Sequence, residues 1–118
     1  NWGSYGGASY IDPKTVKEFS KCQYCEEDNR RGAGFDKPVR DGSSGPTCNC
    51  ISFESFGHSG FTGTLSWVDP EEKVVYIFLS NRVYPDATNT KLQMMDIRTD
   101  IMEVLFNASQ QAKDTADS

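Results

Sequence analysis

The chain has 118 residues, enough for one domain with one modest core. It carries 17 acidic against 12 basic side chains and a single histidine, for a formal charge of −5. This acidic balance excludes a nucleic-acid partner held through its phosphates, because such binding needs a basic patch that releases counterions.

No apolar run approaches the length of a membrane span. The chain opens at Asn1 on a Gly-rich phrase, without an initiator Met or a signal peptide, and reads as the interior of a longer protein. Residues 1–11 are expected to be loop, with Trp2, Tyr5 and Tyr10 as anchors. Asp12-Pro13 opens a short helix over 12–22: Asp12 caps the free N–H groups, and Pro13 suits the first helical position. Val16 and Phe19, three apart, give that helix one apolar face.

Four cysteines follow in two tight pairs, Cys22-x-x-Cys25 and Cys48-x-Cys50. They read as disulfides in an oxidising compartment or as free thiols, ahead of a four-cysteine zinc site. The second spacing is tighter than zinc ligation usually shows. No cofactor is expected, with zinc as the alternative. Arg30 and Arg31, beside Glu26, Glu27 and Asp28, read as a solvated loop of mixed charge. Residues 32–36 form a short strand halted by Pro38, and residues 39–54 are a long Gly- and Ser-rich loop.

Residues 56–80 carry the strands. Phe56–Gly60 is a strand end. Thr64–Val68 is a strand that sets Leu65 and Trp67 on different faces. Asp69-Pro70-Glu71-Glu72 is a turn, and Val74–Leu79 is an apolar strand covered on both faces, the expected stability centre. Together they make an antiparallel hairpin. A helix over 89–108 follows, with Thr90 and Gln93 at capping-box spacing. Met94, Ile97, Ile101, Val104, Leu105 and Ala108 share one face. Met95, Met102 and Phe106 form a second stripe, and Arg98 lies between the two. This apolar arc is wider than packing on one sheet requires, so the helix has a second neighbour, outside this chain. Residues 109–118 read as a polar tail. The fold class is α+β: about three antiparallel strands against a long C-terminal helix, with an exposed sheet edge that favours self-association.

A lone histidine next to a serine is no catalytic triad on spacing alone. The order of Phe56-Gly57-His58-Ser59-Gly60-Phe61-Thr62-Gly63, then Trp67-Val68-Asp69-Pro70, then Val75-Tyr76-Ile77-Phe78-Leu79-Ser80-Asn81-Arg82 says more. It resembles the C-terminal part of a serine β-lactamase-related hydrolase, of the class C β-lactamase, D-alanyl-D-alanine peptidase and esterase group. There a Lys-Thr-Gly or His-Thr-Gly motif lies on the strand edging the active site. His58-Ser59-Gly60 matches the histidine form, with Ser in place of Thr. The resemblance covers most of residues 5–108 and implies a partial β-lactamase/transpeptidase-like fold.

It also implies roles. His58 faces the nucleophile and the substrate carboxylate, Ser59 offers that carboxylate its hydroxyl, and Gly60 leaves room for an extended substrate. The N–H of Phe61 supplies one arm of the oxyanion hole, and Asn81 assists substrate binding. The implied partners are the remainder of the parent hydrolase domain and a small-molecule or peptide substrate: β-lactam, peptidyl-D-alanine or ester. The implied location is the bacterial periplasm or cell envelope. The family's Ser-x-x-Lys nucleophile motif and its Tyr-x-Asn or Ser-x-Asn motif are absent from these 118 residues. The chain therefore resembles one wall of an active site, inactive alone. The alternatives are a non-catalytic binding or accessory module and a small zinc-stabilised domain.

Overall fold

The computed structural model describes residues 1–27, 29–39 and 45–116. Its centre is a three-stranded antiparallel sheet of β3 (Phe56–Ser59), β4 (Leu65–Asp69) and β5 (Val74–Phe78), in that spatial order. A two-residue ribbon, β1 (Ser4–Tyr5) with β2 (Ala8–Ser9), and the helix α1 (Pro13–Ser20) precede it. Helices α2 (Lys91–Met94) and α3 (Ile97–Ala116) follow.

Asp12 caps α1 as its residue type predicts, accepting the Lys14 N–H at 2.7 Å, with Pro13 at the first position. Of its expected apolar face, Val16 is half-buried and Phe19 is exposed. The expected strand over 32–36 reduces to single bridges, Arg31 to Asp36 and Asp36 to Gly57. Of the expected loop over 39–54, residues 40–44 lie outside the described residues, and 45–54 hold turns without helix or strand.

The register corrects the strand reading. Leu65 and Trp67 are two apart, so the strand period of two sets them on the same face. Both are buried, as are Tyr76 of β5 and Met102 and Phe106 of α3. β4, flanked on both sides, is thus the centre of the core, and β5 is an edge strand. Val75 and Ile77 are 62% and 60% exposed, so β5 is covered on one face only. The apolar run hid this, because it reads the same for either face. Trp2 and Val16 border a cavity of about 540 Å³ with Phe56, Val68 and Val75 on that opposite face, standing over part of it.

The C-terminal helix is also corrected. It breaks at Asp96, whose φ of 48° places it in the left-handed region that Asp tolerates better than most residues. Thr90 makes no capping hydrogen bond; its hydroxyl meets Met94 Sδ at 3.1 Å. The stripe turned to the sheet is that of Met102 and Phe106, while Val104 and Leu105 of the larger stripe stay exposed. The expected polar tail is helical to Ala116 because the β4–β5 turn holds it: Lys113 Nζ lies 2.6 Å from a Glu72 carboxylate oxygen, and Gln110 donates to the same oxygen. The cysteines pair within each motif, Cys22 with Cys25 and Cys48 with Cys50. Cys48 packs into the core with Leu65 and Trp67. Among the described residues no group of three or more His, Cys, Asp and Glu side chains could hold a metal ion, and no helix is long and apolar enough to cross a membrane.

Candidate active-site wall

The outer strand β3 positions the residues of interest. Gly57 exchanges both main-chain hydrogen bonds with Asp36, at 2.8 and 3.1 Å, on the side away from β4. A Cβ at Gly57 would run into the Ser66 carbonyl and the Trp67 ring, so this close approach needs glycine. Asp36 is 2% exposed, and Arg30, at 2.9 Å, and Arg31 both pair with its carboxylate. Both arginine side chains keep substantial solvent exposure, as expected for a solvated loop, and in addition they neutralise a buried acid that anchors the outer neighbour of β3.

Main-chain groups in a strand alternate sides. Gly57 points outward, and Gly60 points inward, its N–H donating to the Thr64 carbonyl at 2.8 Å. Ser59 therefore directs its N–H to the outer edge, beyond the Asp36 bridge, where no described strand pairs with it; Phe61 lies in the turn after β3, its N–H pointing opposite to the Gly60 carbonyl that accepts the Gly63 N–H. The Phe61 ring is 74% exposed and stacks under the Arg82 guanidinium at 5.0 Å.

Side chains alternate across the sheet. Ser59 pairs with Leu65 and shares the face of the core and α3; His58 pairs with Ser66 on the opposite, open face. The His58 Nδ1 lies 2.7 Å from the Ser59 carbonyl oxygen. A carbonyl only accepts, so Nδ1 donates in this contact and Nε2 is left without a protein partner among the described residues. A Cβ at Gly60 would meet the Thr64 hydroxyl, so a larger residue there requires that side chain to shift.

Ser59 also borders a cavity of about 300 Å³ with Arg30, Gln93, Asp96, Arg98 and Thr99. The Ser59 hydroxyl has no hydrogen-bond partner among the described residues. Asn81 is exposed and does not line this cavity. Burial holds the Arg98 guanidinium below its usual range, with Tyr76 opposing and Arg82 adding to the shift. Arg98 Nη1 donates to the carbonyls of Gly63 and Thr64 at 3.2 and 3.5 Å. Arg30, Asp36 and Arg98 were missed as site residues. The one signal for them was a charged Arg98 between two apolar stripes, where an arginine needs buried acceptors.

Residues 13–98 match the beta-lactamase family, and the chain belongs to it. Among curated relatives, proteins of Salmonella enteritidis PT4 and Salmonella paratyphi B, each named "Putative D-alanyl-D-alanine carboxypeptidase", are 33% identical over 93 residues. Those residues are 78% of this chain and 21% of each relative, so the chain spans about a fifth of their length. No solved structure matches it.

Proposed function

We propose that this chain is one wall of a serine hydrolase active site, contributed by the C-terminal part of a β-lactamase-related enzyme. The observation that carries the reading is the open outer edge of β3, with Ser59 and Phe61 unpaired beyond the Asp36 bridge and His58 exposed beside them. An extended acyl substrate would lie along this edge, and the Phe61 N–H would meet the negative charge that develops on its carbonyl oxygen. Nε2 of His58 would exchange a proton with the nucleophile or leaving group. The Ser59 hydroxyl, backed by Arg30 and Arg98, would take a substrate carboxylate, with Asn81 assisting from outside that cavity.

The nucleophilic serine belongs to the remainder of the protein, since no Ser-x-x-Lys lies within this chain. A β-lactam, a peptidyl-D-alanine or a simple ester fits this wall. The relatives' names favour the peptide, and the paired cysteines favour an oxidising compartment such as the periplasm. Turnover by the full-length protein of a chromogenic ester and a chromogenic cephalosporin tests the reading. At least one should turn over, and His58→Ala should slow it by roughly 10²-fold or more, as loss of a general acid–base group does. Inertness toward both substrates, with the protein folded, would leave the non-catalytic binding module as the better reading.

A further inference from the structure

The turn of residues 60–64 has its carbonyls held from behind. Thr62 O accepts the Arg82 main-chain N–H at 2.9 Å and the Ser80 hydroxyl at 3.2 Å. The carbonyls of Gly63 and Thr64 accept from the Arg98 guanidinium. Gly60 O accepts the Gly63 N–H at 3.0 Å. The Phe61 N–H has no acceptor among the described residues.

The two arginines come from different elements: Arg82 follows β5, and Arg98 is the second residue of α3. Arg82 is itself fixed, donating from Nη1 to the carbonyls of Ala87 and Asn89, both at 3.3 Å. Neither arginine forms an ion pair with a carboxylate among the described residues. The Arg98 guanidinium thus bonds the turn that presents the Phe61 amide, and the Arg82 guanidinium meets that turn over the Phe61 ring at 5.0 Å.

We infer that Arg82 and Arg98 are positioning residues for the Phe61 N–H, fixing its turn and setting positive charge behind the donor. This rests on the reading of the β3 edge as an acyl-transfer site. Preorganised donors act because they need not reorient when charge develops, and cations near them that are not tied up in ion pairs strengthen the same field. Charge and fork geometry both matter, so lysine is only a partial substitute.

The test has two arms. In the first, amide hydrogen exchange is followed in this chain, in its Arg98→Met and Arg98→Lys variants and in Arg82→Lys. The Gly60 and Gly63 amides should exchange about tenfold faster in Arg98→Met, while the Trp67 amide in β4 stays protected. Unchanged protection in all three variants overturns the clamp. Loss of Trp67 protection in Arg98→Met marks unfolding and passes the decision to Arg98→Lys, in which Gly60 and Gly63 must still quicken selectively.

The second arm uses the full-length protein, a chromogenic ester and a boronic acid that becomes a tetrahedral anion on the nucleophile. Arg98→Met and Arg82→Lys should lower kcat and boronate affinity by roughly tenfold with KM within about twofold, less than the 10²–10³ lost with a donor itself. Arg98→Lys should recover part of the loss. A proportional rise in KM without loss of kcat or boronate affinity overturns the positioning role. A wild-type protein that neither turns over ester nor binds boronate refutes the acyl-transfer reading, and the clamp is then decided by exchange alone.

Discussion

Trp67 shows how little freedom single residues have in this core. Its indole N–H donates to the Ser55 hydroxyl at 3.0 Å, and both residues are almost fully buried. Ser55→Ala leaves that N–H without a partner and should cost about 1–3 kcal/mol in urea unfolding; Trp67→Phe in the Ser55→Ala background should recover part of it. Asp69, equally buried, accepts from Ser52 N and Oγ, both at 2.7 Å, and from Glu71 N and Glu72 N, both at 3.1 Å. One carboxylate thereby forms the β4–β5 turn and pins the loop that carries Cys48 and Cys50.

Tyr76 gives a pH-dependent prediction. Burial raises its phenol above the usual range, with Arg98 opposing. Folding therefore favours the protonated form, so the contribution is full below about pH 10 and is lost as pH rises through the higher folded value. The stability difference between wild type and Tyr76→Phe, measured by denaturant unfolding, should shrink as pH climbs past 10. Below that, Tyr76→Phe should cost about 0.5–1.5 kcal/mol through loss of the bond from its hydroxyl to the Arg98 carbonyl.

At the scale of elements, the hairpin was legible because Asp69-Pro70 is strong turn chemistry between two apolar runs. The break at Asp96 was not, since Met94 and Met95 continue the helical pattern across it and a left-handed Asp leaves no mark on periodicity. Nor was the length of α3, because residues 109–116 are polar all round and their support comes from Glu72, far away in sequence. Lys113→Ala should fray the last two turns of α3 and quicken amide exchange over 109–116. Its effect on global stability should be under about 1 kcal/mol, as for other exposed ion pairs. Protection unchanged from wild type would mean that α3 holds itself. Of the candidate site, His58-Ser59-Gly60 was legible only through resemblance. The arginines behind its turn were not, because Arg98 meets it through main-chain carbonyls, which carry no residue signature, and Arg82 through a ring far from it in sequence.

At the scale of the whole molecule, two apolar surfaces stand open: Val75 and Ile77 on the sheet, Val104 and Leu105 on α3. The strand of Val75 and Ile77 reads as covered on both faces and is covered on one. Alone the chain should self-associate at high concentration, and Val75→Lys with Ile77→Thr should shift it toward monomer in sedimentation velocity. A monomer at high concentration without those changes would contradict this.

As one wall of an acylating site, this chain would face a nucleophile that lies elsewhere in the protein. Mass spectrometry of the full-length protein after exposure to a β-lactam or an activated ester tests this most directly. The prediction is one covalent acyl adduct, on a serine of a Ser-x-x-Lys sequence outside these 118 residues, formed much more slowly in His58→Ala. No adduct with either reagent, or an adduct on a serine within this chain, would contradict it.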